Sequence, residues 1–124
     1  ISRNLDEGVD FDEAGDGGID VQIIDTVAEG NTDDGFKNSE EDAGSVTGLM
    51  LRATATGNGG KGAVFEEEGG GDVALTVQDS MTSGNDDGEE TGIEAVQEGD
   101  GVGALLVIDS DIADGTDLDG VEAR

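Results

Sequence analysis

Short apolar stretches with alternating polarity are the feature that most limits how this sequence can fold. Residues 19–23 alternate apolar and polar side chains, and Val73, Leu75 and Val77 repeat the same period of two. That period is typical of a β-strand with one buried face. Residues 103–109 form a nearly continuous apolar run, which indicates a more deeply buried strand. Since no stretch combines helical periodicity with a cap, the sequence predicts an all-β protein.

Turns rich in Gly, Asp and Asn separate about seven such strands at intervals of roughly 8–15 residues. This spacing predicts an antiparallel β-sandwich, and we recognise no repeat of fixed period in the chain. Residues 1–18 are interpreted as an acidic N-terminal arm and possible donor strand, and residues 19–124 as the β-sandwich domain. The side chains expected in the core are Ile23, Val73, Leu75, Val77 and Leu106.

The acidic excess leaves two interpretations of the chain. Asp and Glu number 32 against 5 Lys and Arg, which gives a formal net charge of −27. Such a charge with few aromatic residues is typical of disorder, but also of a folded halophilic protein whose carboxylates are screened at molar salt. The regular alternation favours the folded halophile, because a disordered polyanion has no reason to keep it. We therefore expect an extracellular, cell-surface or virion protein of a hypersaline organism.

The missing residue types exclude several chemistries. The chain has no Cys and no His, which removes disulfides, thiolate metal sites and imidazole catalysis. It also has no Trp or Tyr to form a sugar-binding platform, so its many carboxylates do not indicate a glycosidase. The acidic surface repels nucleic acid, and no apolar run reaches the roughly 18 residues that span a membrane. We predict a protein that is not an enzyme and has no cofactor.

Calcium is the one metal that an oxygen-only ligand set favours. The acidic closing segment loosely resembles an EF-hand loop, but its register fails because Ala113 and Asp114 fall where the pattern needs an acidic residue and then Gly. Two interpretations stay open, a specific Ca²⁺ site and diffuse binding of hydrated salt cations. The candidate ligands are Asp109, Asp111, Asp114, Asp117 and Asp119.

Four apolar residues are candidates for contacts between subunits. Leu5, Val9 and Phe11 stand at odd-numbered positions, which an extended strand places on one face. Such a strand can pair with an open sheet edge of another copy, and a frayed terminus is the alternative. Phe36 is alone in a polar stretch, where it either plugs the underside of a loop or contacts a neighbouring subunit.

The closing segment carries a family resemblance. Residues 96–123, "VQEGDGVGALLVIDSDIADGTDLDGVEA", combine an acidic turn, an apolar strand ending in Ile-Asp, a Gly-Asp linker and a short last strand. This segment resembles TasA/camelysin-type secreted β-sandwich fibre subunits, some of which assemble by donating an N-terminal strand. The resemblance implies a self-assembling structural subunit of an extracellular filament or pilus of a halophilic archaeon. Two alternatives are a capsid decoration or minor capsid protein of a haloarchaeal virus, with capsid proteins as partners, and a calcium-dependent adhesion module.

Overall fold

The structure is a computed structural model that describes residues 1–86 and 88–124. Its regular elements are short β-strands, and the described part of the chain contains no helix. The strands are β1 (Val9–Glu13), β2 (Ile19–Ile24), β3 (Val27–Glu29), β4 (Phe36–Glu40), β5 (Val46–Leu51), β6 (Thr54–Thr56), β7 (Ala63–Glu67), β8 (Val73–Gln78), β9 (Met81–Ser83), β10 (Ile93–Gln97), β11 (Gly103–Ile108), β12 (Asp111–Ile112), β13 (Thr116–Asp119) and β14 (Val121–Ala123).

All pairings between these strands are parallel, and they form three sheets. Sheet 1 has the order β1-β4-β7-β10-β13, sheet 2 the order β14-β11-β8-β5-β2, and sheet 3 the order β12-β9-β6-β3. Each full round of the chain therefore adds one strand to every sheet, and about four such coils stack into a parallel β-solenoid. The predicted antiparallel β-sandwich is wrong, because each strand pairs with its counterpart one coil away and not with its neighbour along the chain.

The first coils repeat with a constant length, and the later coils do not. Val9 is in register with Phe36, and Phe36 with Ala63, so both steps are 27 residues long. The next step, from Ala63 to Ile93, is 30 residues long. The last step, from Ile93 to Thr116, is 23 residues long. The statement that the chain has no repeat of fixed period is therefore wrong for the first coils only. The repeat is hard to see in the sequence because one register column changes from Val to Phe, Ala and Ile.

Two kinds of turn connect the sheets. The turn from sheet 1 to sheet 2 spans residues 14–18, 41–45, 68–72 and 98–102 in successive coils. It requires Gly at position 44, because a Cβ there would collide with the carbonyl oxygen of Gly17. The turn from sheet 2 to sheet 3 has two residues, of which the first is left-handed, with φ between 46° and 50° at Asp25, Arg52, Asp79 and Asp109. Arg52 Nε also lies 2.6 Å from Asp25 Oδ1, so an ion pair joins two coils at this edge.

The core is the channel enclosed by the three sheets. Its largest buried apolar side chains are Phe36, Phe65, Met50, Ile93 and Leu105. Four of the five expected core residues are buried as predicted, namely Ile23, Val73, Leu75 and Val77. Leu106 is not, since 40% of its surface is exposed. The period of two places Leu105 inside and Leu106 on the outer face, although the apolar run made both look buried.

Candidate functional site

A column of asparagine side chains runs along the turn that leads from sheet 3 into sheet 1. Asn4 Nδ2 donates to Asn31 Oδ1 at 3.0 Å, Asn31 Nδ2 to Asn58 Oδ1 at 2.9 Å, and Asn58 Nδ2 to Asn85 Oδ1 at 2.8 Å. The backbone N–H of each donor residue binds the same acceptor oxygen. An amide can stack in this way because it donates and accepts at once. We call these residues the asparagine ladder.

Asp114 ends the asparagine ladder. Its Oδ2 accepts hydrogen bonds from the backbone N–H and Nδ2 of Asn85, at 3.1 and 2.8 Å. Its Oδ1 accepts the backbone N–H of Gly84 at 2.8 Å. An ionised carboxylate has no proton to donate, so the side-chain hydrogen bonds stop at Asp114. The ladder therefore has a direction, with an amide at its N-terminal end and a carboxylate at its C-terminal end.

A second polar column stands at the end of the sheet 1 strands and consists of Glu13, Glu40, Glu67 and Gln97, which we call the glutamate column. Only in its C-terminal half do both carboxylate oxygens of a glutamate accept hydrogen bonds. Glu67 Oε1 accepts the backbone N–H groups of Gly69 and Gly71, at 2.8 and 2.9 Å, and Gln97 Nε2 donates to Glu67 Oε2 at 3.2 Å. The amide of Gln97 thus completes the hydrogen bonding of Glu67, which is fully buried.

The N-terminal half of the glutamate column lacks such donors. Glu40 is fully buried, and its Oε1 accepts one backbone N–H, from Asp42 at 3.2 Å. The Oε2 atoms of Glu40 and Glu13 are both buried and have no hydrogen-bond partner among the described residues. Burial raises the pKa of Glu13, and the negative charge of the neighbouring Glu40 raises this pKa further. The pair is therefore suited to holding a proton between its two carboxyl groups.

The N-terminal end of the solenoid is partly uncovered. Residues 1–3 run along β3, where Ser2 bridges Glu29 in parallel, but nothing in the described structure pairs with the outer edges of β1 and β2. Two cavities of about 250 and 270 Å³ lie at this end, and both are lined by Phe11 and Val21. Half of the Phe11 surface is exposed. Apolar interior and unpaired backbone are therefore available there for a contact.

The four candidate assembly residues are not equivalent. Val9 and Phe11 belong to β1, at the uncovered end, and Phe11 lines the cavities there. Leu5 is 93% exposed, in the segment that precedes β1. Phe36 is the first residue of β4 and is fully buried in the core, so it neither lies in a loop nor is accessible to another subunit.

The candidate calcium ligands are distributed over the last coils. Asp109 is in a turn, Asp111 in β12, and Asp117 and Asp119 are exposed on β13, while both oxygens of Asp114 already accept hydrogen bonds. Among the described residues, the acidic groups close enough to hold one ion are instead Asp6, Glu7 and Asp33. A backbone hydrogen bond lowers the pKa of Glu7, but a side-chain hydrogen bond with Asp6, burial and the charges of Asp6 and Asp10 together outweigh it and raise this pKa. The calcium site stays a prediction.

Charged side chains are concentrated on the outer face of sheet 1. Glu66 faces Glu94, and partial burial together with the charge of Glu94 and a hydrogen bond to it raises the pKa of Glu66. Lys61 Nζ lies 3.0 Å from Glu94 Oε1. The ion pair of Lys61 with Glu94 joins two neighbouring coils.

The asparagine ladder is the main feature that sequence reasoning missed. Asn4, Asn31, Asn58 and Asn85 stand at a constant interval of 27 residues, and this interval was available in the sequence. A Gly follows Asn4, Asn31 and Asn58 by four residues in each case, at Gly8, Gly35 and Gly62. The regular spacing of these Asn and Gly residues indicates the length of one coil. The residue types at the apolar positions vary too much between coils to reveal that length.

Neither family models, curated proteins nor solved structures include a match to this chain. In the described residues, no helix has the length and apolar character that crossing a membrane requires.

Proposed function

We propose that this chain is a non-enzymatic structural subunit of an extracellular filament of a halophilic archaeon, in which copies of the solenoid stack end to end. The observation that carries the proposal is that sheets 1 and 2 each have an unpaired strand edge at both ends of the described structure. These edges belong to β1 and β13 in sheet 1 and to β2 and β14 in sheet 2. Because all strands of the solenoid pair in parallel with the next coil, a second copy can continue both sheets.

Stacking of this kind pairs strands that are otherwise unpaired. The register of the internal coils places β1 of one copy on β13 of the next, with Phe11 over Leu118 and Val9 over Thr116. Phe11 and Val9 would then cover the last interior layer, as Phe36 and Phe65 do inside the solenoid. Backbone hydrogen bonds between open sheet edges supply affinity in such contacts, and burial of apolar surface adds to it.

Charge makes this contact dependent on salt. The same register places Asp10 and Asp12 of β1 beside Asp117 and Asp119 of β13, all of which are exposed. Like charges directly opposite each other on neighbouring strands are destabilising. At about 1 M salt the Debye length falls to roughly 3 Å, and the repulsion between these carboxylates is largely screened. Assembly is therefore expected at molar salt and not in dilute buffer.

The test uses the 124-residue chain in about 2 M and about 0.05 M salt, followed by sedimentation velocity and negative-stain imaging. We expect filaments one solenoid wide at high salt. Phe11→Asp should abolish them, because it places a charge in the interior layer of the junction. Val27→Asp is the matched control, since Val27 has a similar exposure of 48% but lies on sheet 3.

Far-UV circular dichroism shows whether each variant keeps its strands. Folded wild-type chains that remain monomeric at every salt concentration would overturn the proposal. So would filaments of unchanged length from the Phe11→Asp variant, because the open end would then not be the connection. Equal loss of filaments in both variants would place the contact elsewhere and also count against end-to-end stacking.

A further inference from the structure

Asn58 and Gly59 form the one Asn-Gly pair in the sequence. In such a pair the backbone nitrogen of the glycine can attack the side-chain carbonyl carbon of the asparagine, because glycine has no Cβ to obstruct the approach. The other three asparagines of the ladder are followed by Leu5, Thr32 and Asp86, whose side chains hinder the same attack. The asparagine ladder therefore contains one amide that is chemically more reactive than its equivalents.

Packing between coils fixes both residues of this pair. Asn58 is only 2% exposed, and its amide lies in the ladder between Asn31 and Asn85. A Cβ on Gly59 would lie 2.3 Å from the carbonyl oxygen of Thr32, so a larger residue does not fit there without a shift of the backbone. The reactive pair is therefore a consequence of how the coils stack at this point.

In the folded structure, hydrogen bonds hold both groups that would react. The backbone N–H of Gly59 donates to the carbonyl oxygen of Asn31 at 2.9 Å. Asn58 Nδ2 donates to Asn85 Oδ1 at 2.8 Å and to the carbonyl oxygen of Ala28 at 3.3 Å. The attack requires that the Gly59 nitrogen lose its proton and that the Asn58 amide turn, which breaks hydrogen bonds to the coils on both sides. The reaction therefore needs a state in which these coils have opened.

We infer that Asn58 is a self-modification site that the folded solenoid suppresses and that opening of the inner coils exposes. In the open chain the Gly59 nitrogen forms a bond to Asn58 Cγ and gives up its proton, and Nδ2 leaves as ammonia. Water then opens the resulting cyclic imide at either of its carbonyl carbons, which leaves aspartate or isoaspartate at position 58. The net reaction converts an amide and water into a carboxylate and ammonium, so it needs neither an enzyme nor an oxidant.

A modified residue at position 58 cannot rebuild the ladder. One oxygen of an aspartate there can still accept from Asn31, but the other replaces Nδ2 and faces two acceptors, Asn85 Oδ1 and the carbonyl oxygen of Ala28. A buried carboxylate that faces acceptors is destabilising. Isoaspartate also lengthens the main chain by a carbon atom. Opening of the inner coils therefore becomes irreversible once this reaction has taken place.

The test incubates the 124-residue chain in mildly alkaline buffer at molar salt, with and without an unfolding concentration of guanidinium chloride. Peptide mass mapping follows the conversion of Asn58 and of Asn31. Asn31 is the matched control, because it lies in the same ladder, is equally buried and precedes Thr32. In the unfolded chain we expect Asn58 to convert at least about tenfold faster than Asn31. In the folded chain, conversion of Asn58 should be at least about a hundredfold slower than in the unfolded chain.

Two variants separate the chemistry from folding, because both are measured in the unfolded chain. Gly59→Ala should slow the conversion of Asn58 to the rate of Asn31. Thr32→Gly should raise the conversion of Asn31 to the rate of Asn58. If neither variant changed the rate at the asparagine before it, the following residue would not control the reaction and the inference would be wrong.

Return of the treated chain to molar salt without denaturant tests the consequence. The fraction that fails to regain wild-type stability should equal the fraction converted at Asn58. Equal conversion of Asn58 in folded and unfolded chains would overturn the inference, as would full recovery of stability by the converted chain. Asn58 lies in an inner coil, so none of these outcomes depends on whether copies stack end to end.

Discussion

The asparagine ladder and the glutamate column are both stacks of one polar residue type inside the same solenoid, yet only the ladder is complete. Each ladder amide between Asn31 and Asn85 accepts from the coil before it and donates to the coil after it. In the glutamate column the donors are backbone N–H groups and the amide of Gln97, and they are used up at Glu67 and at one oxygen of Glu40.

The difference follows from the hydrogen-bonding capacity of the two groups. An amide carries its own donor and acceptor, so it can be repeated in every coil at no cost in charge. An ionised carboxylate only accepts, and each repeat adds a like charge next to the last one. The ladder therefore stabilises stacking over any number of coils, while the glutamate column needs a proton or a neutral residue at intervals.

Removing an inner amide of the ladder should have the largest effect. Asn58→Ala removes the acceptor of Asn31 and the donor to Asn85, and it leaves buried polar groups unpaired on both sides. We expect the free energy of unfolding to fall by about 3–5 kcal/mol, measured by denaturant titration at molar salt. Asn4→Ala is the control, since Asn4 is exposed at the end of the same ladder and should cost well under half as much. If both substitutions lowered the free energy of unfolding equally, the stabilisation by the ladder would not depend on the burial of its amides.

In the glutamate column, replacement of Glu by Gln should change the free energy of unfolding in opposite directions at the neighbouring positions 40 and 67. Glu40→Gln supplies an amide donor for the unpartnered Glu13 Oε2 and removes a buried charge, so we expect stabilisation by about 1–2 kcal/mol. Glu67→Gln should destabilise by a similar amount, because its oxygens already accept three hydrogen bonds from N–H donors. Thermal and denaturant unfolding of both variants provide the measurement, and the same sign for both would contradict the comparison.

The pH dependence of stability sharpens the comparison further. The pKa of Glu13 is raised in the folded protein, so the folded state binds its proton more tightly than the unfolded state does. That stabilisation is fully present below the ordinary glutamate pKa and is lost as pH rises through the raised value. Partly buried Glu66 acts in the same direction, whereas Asp25, whose pKa Arg52 lowers, acts in the opposite one.

We therefore expect the melting temperature to decrease between about pH 4 and about pH 8 at constant molar salt. Glu40→Gln should flatten this dependence, since its amide replaces the proton that Glu13 would otherwise supply. Glu66→Gln is the control on the outer face of sheet 1 and should remove only its own contribution. If the melting temperature of Glu40→Gln falls with pH as steeply as that of the wild type, the Glu13–Glu40 pair does not hold the proton.

The smallest effect is expected at the carboxylate that ends the asparagine ladder. Asp114→Asn provides an Nδ2 donor for Asn4 of a stacked copy, so the ladder would continue across the junction. We expect longer filaments at the same salt and protein concentration, with a change of less than about 1 kcal/mol in the stability of the monomer. Asp114→Ala should shorten them. Shorter filaments from Asp114→Asn would mean that stacking does not use the ladder register.

The predictions from sequence succeeded for single strands and failed for their arrangement. Residues 19–23 and 73–77 were correctly interpreted as strands with one buried face, because alternation within a strand is a local property. The assignment of Phe36 to a loop failed, since the polar residues around it, such as Asn38 and Glu40, are buried inside the solenoid and not exposed in a turn. Polarity alone did not distinguish an interior column from a surface loop.

By itself, the sequence determined that the chain is all-β, that Gly and Asp turns separate its strands, and that Cys and His chemistry is absent. Those properties depend on residue types and on contacts between near neighbours. Only the tertiary structure decided that the strands are parallel, that Leu106 faces outward, and that Asn31 meets Asn58. The physical reason is that the period of two is the same in parallel and antiparallel sheets. The choice between them rests on hydrogen bonds between residues 27 positions apart, which no single segment encodes.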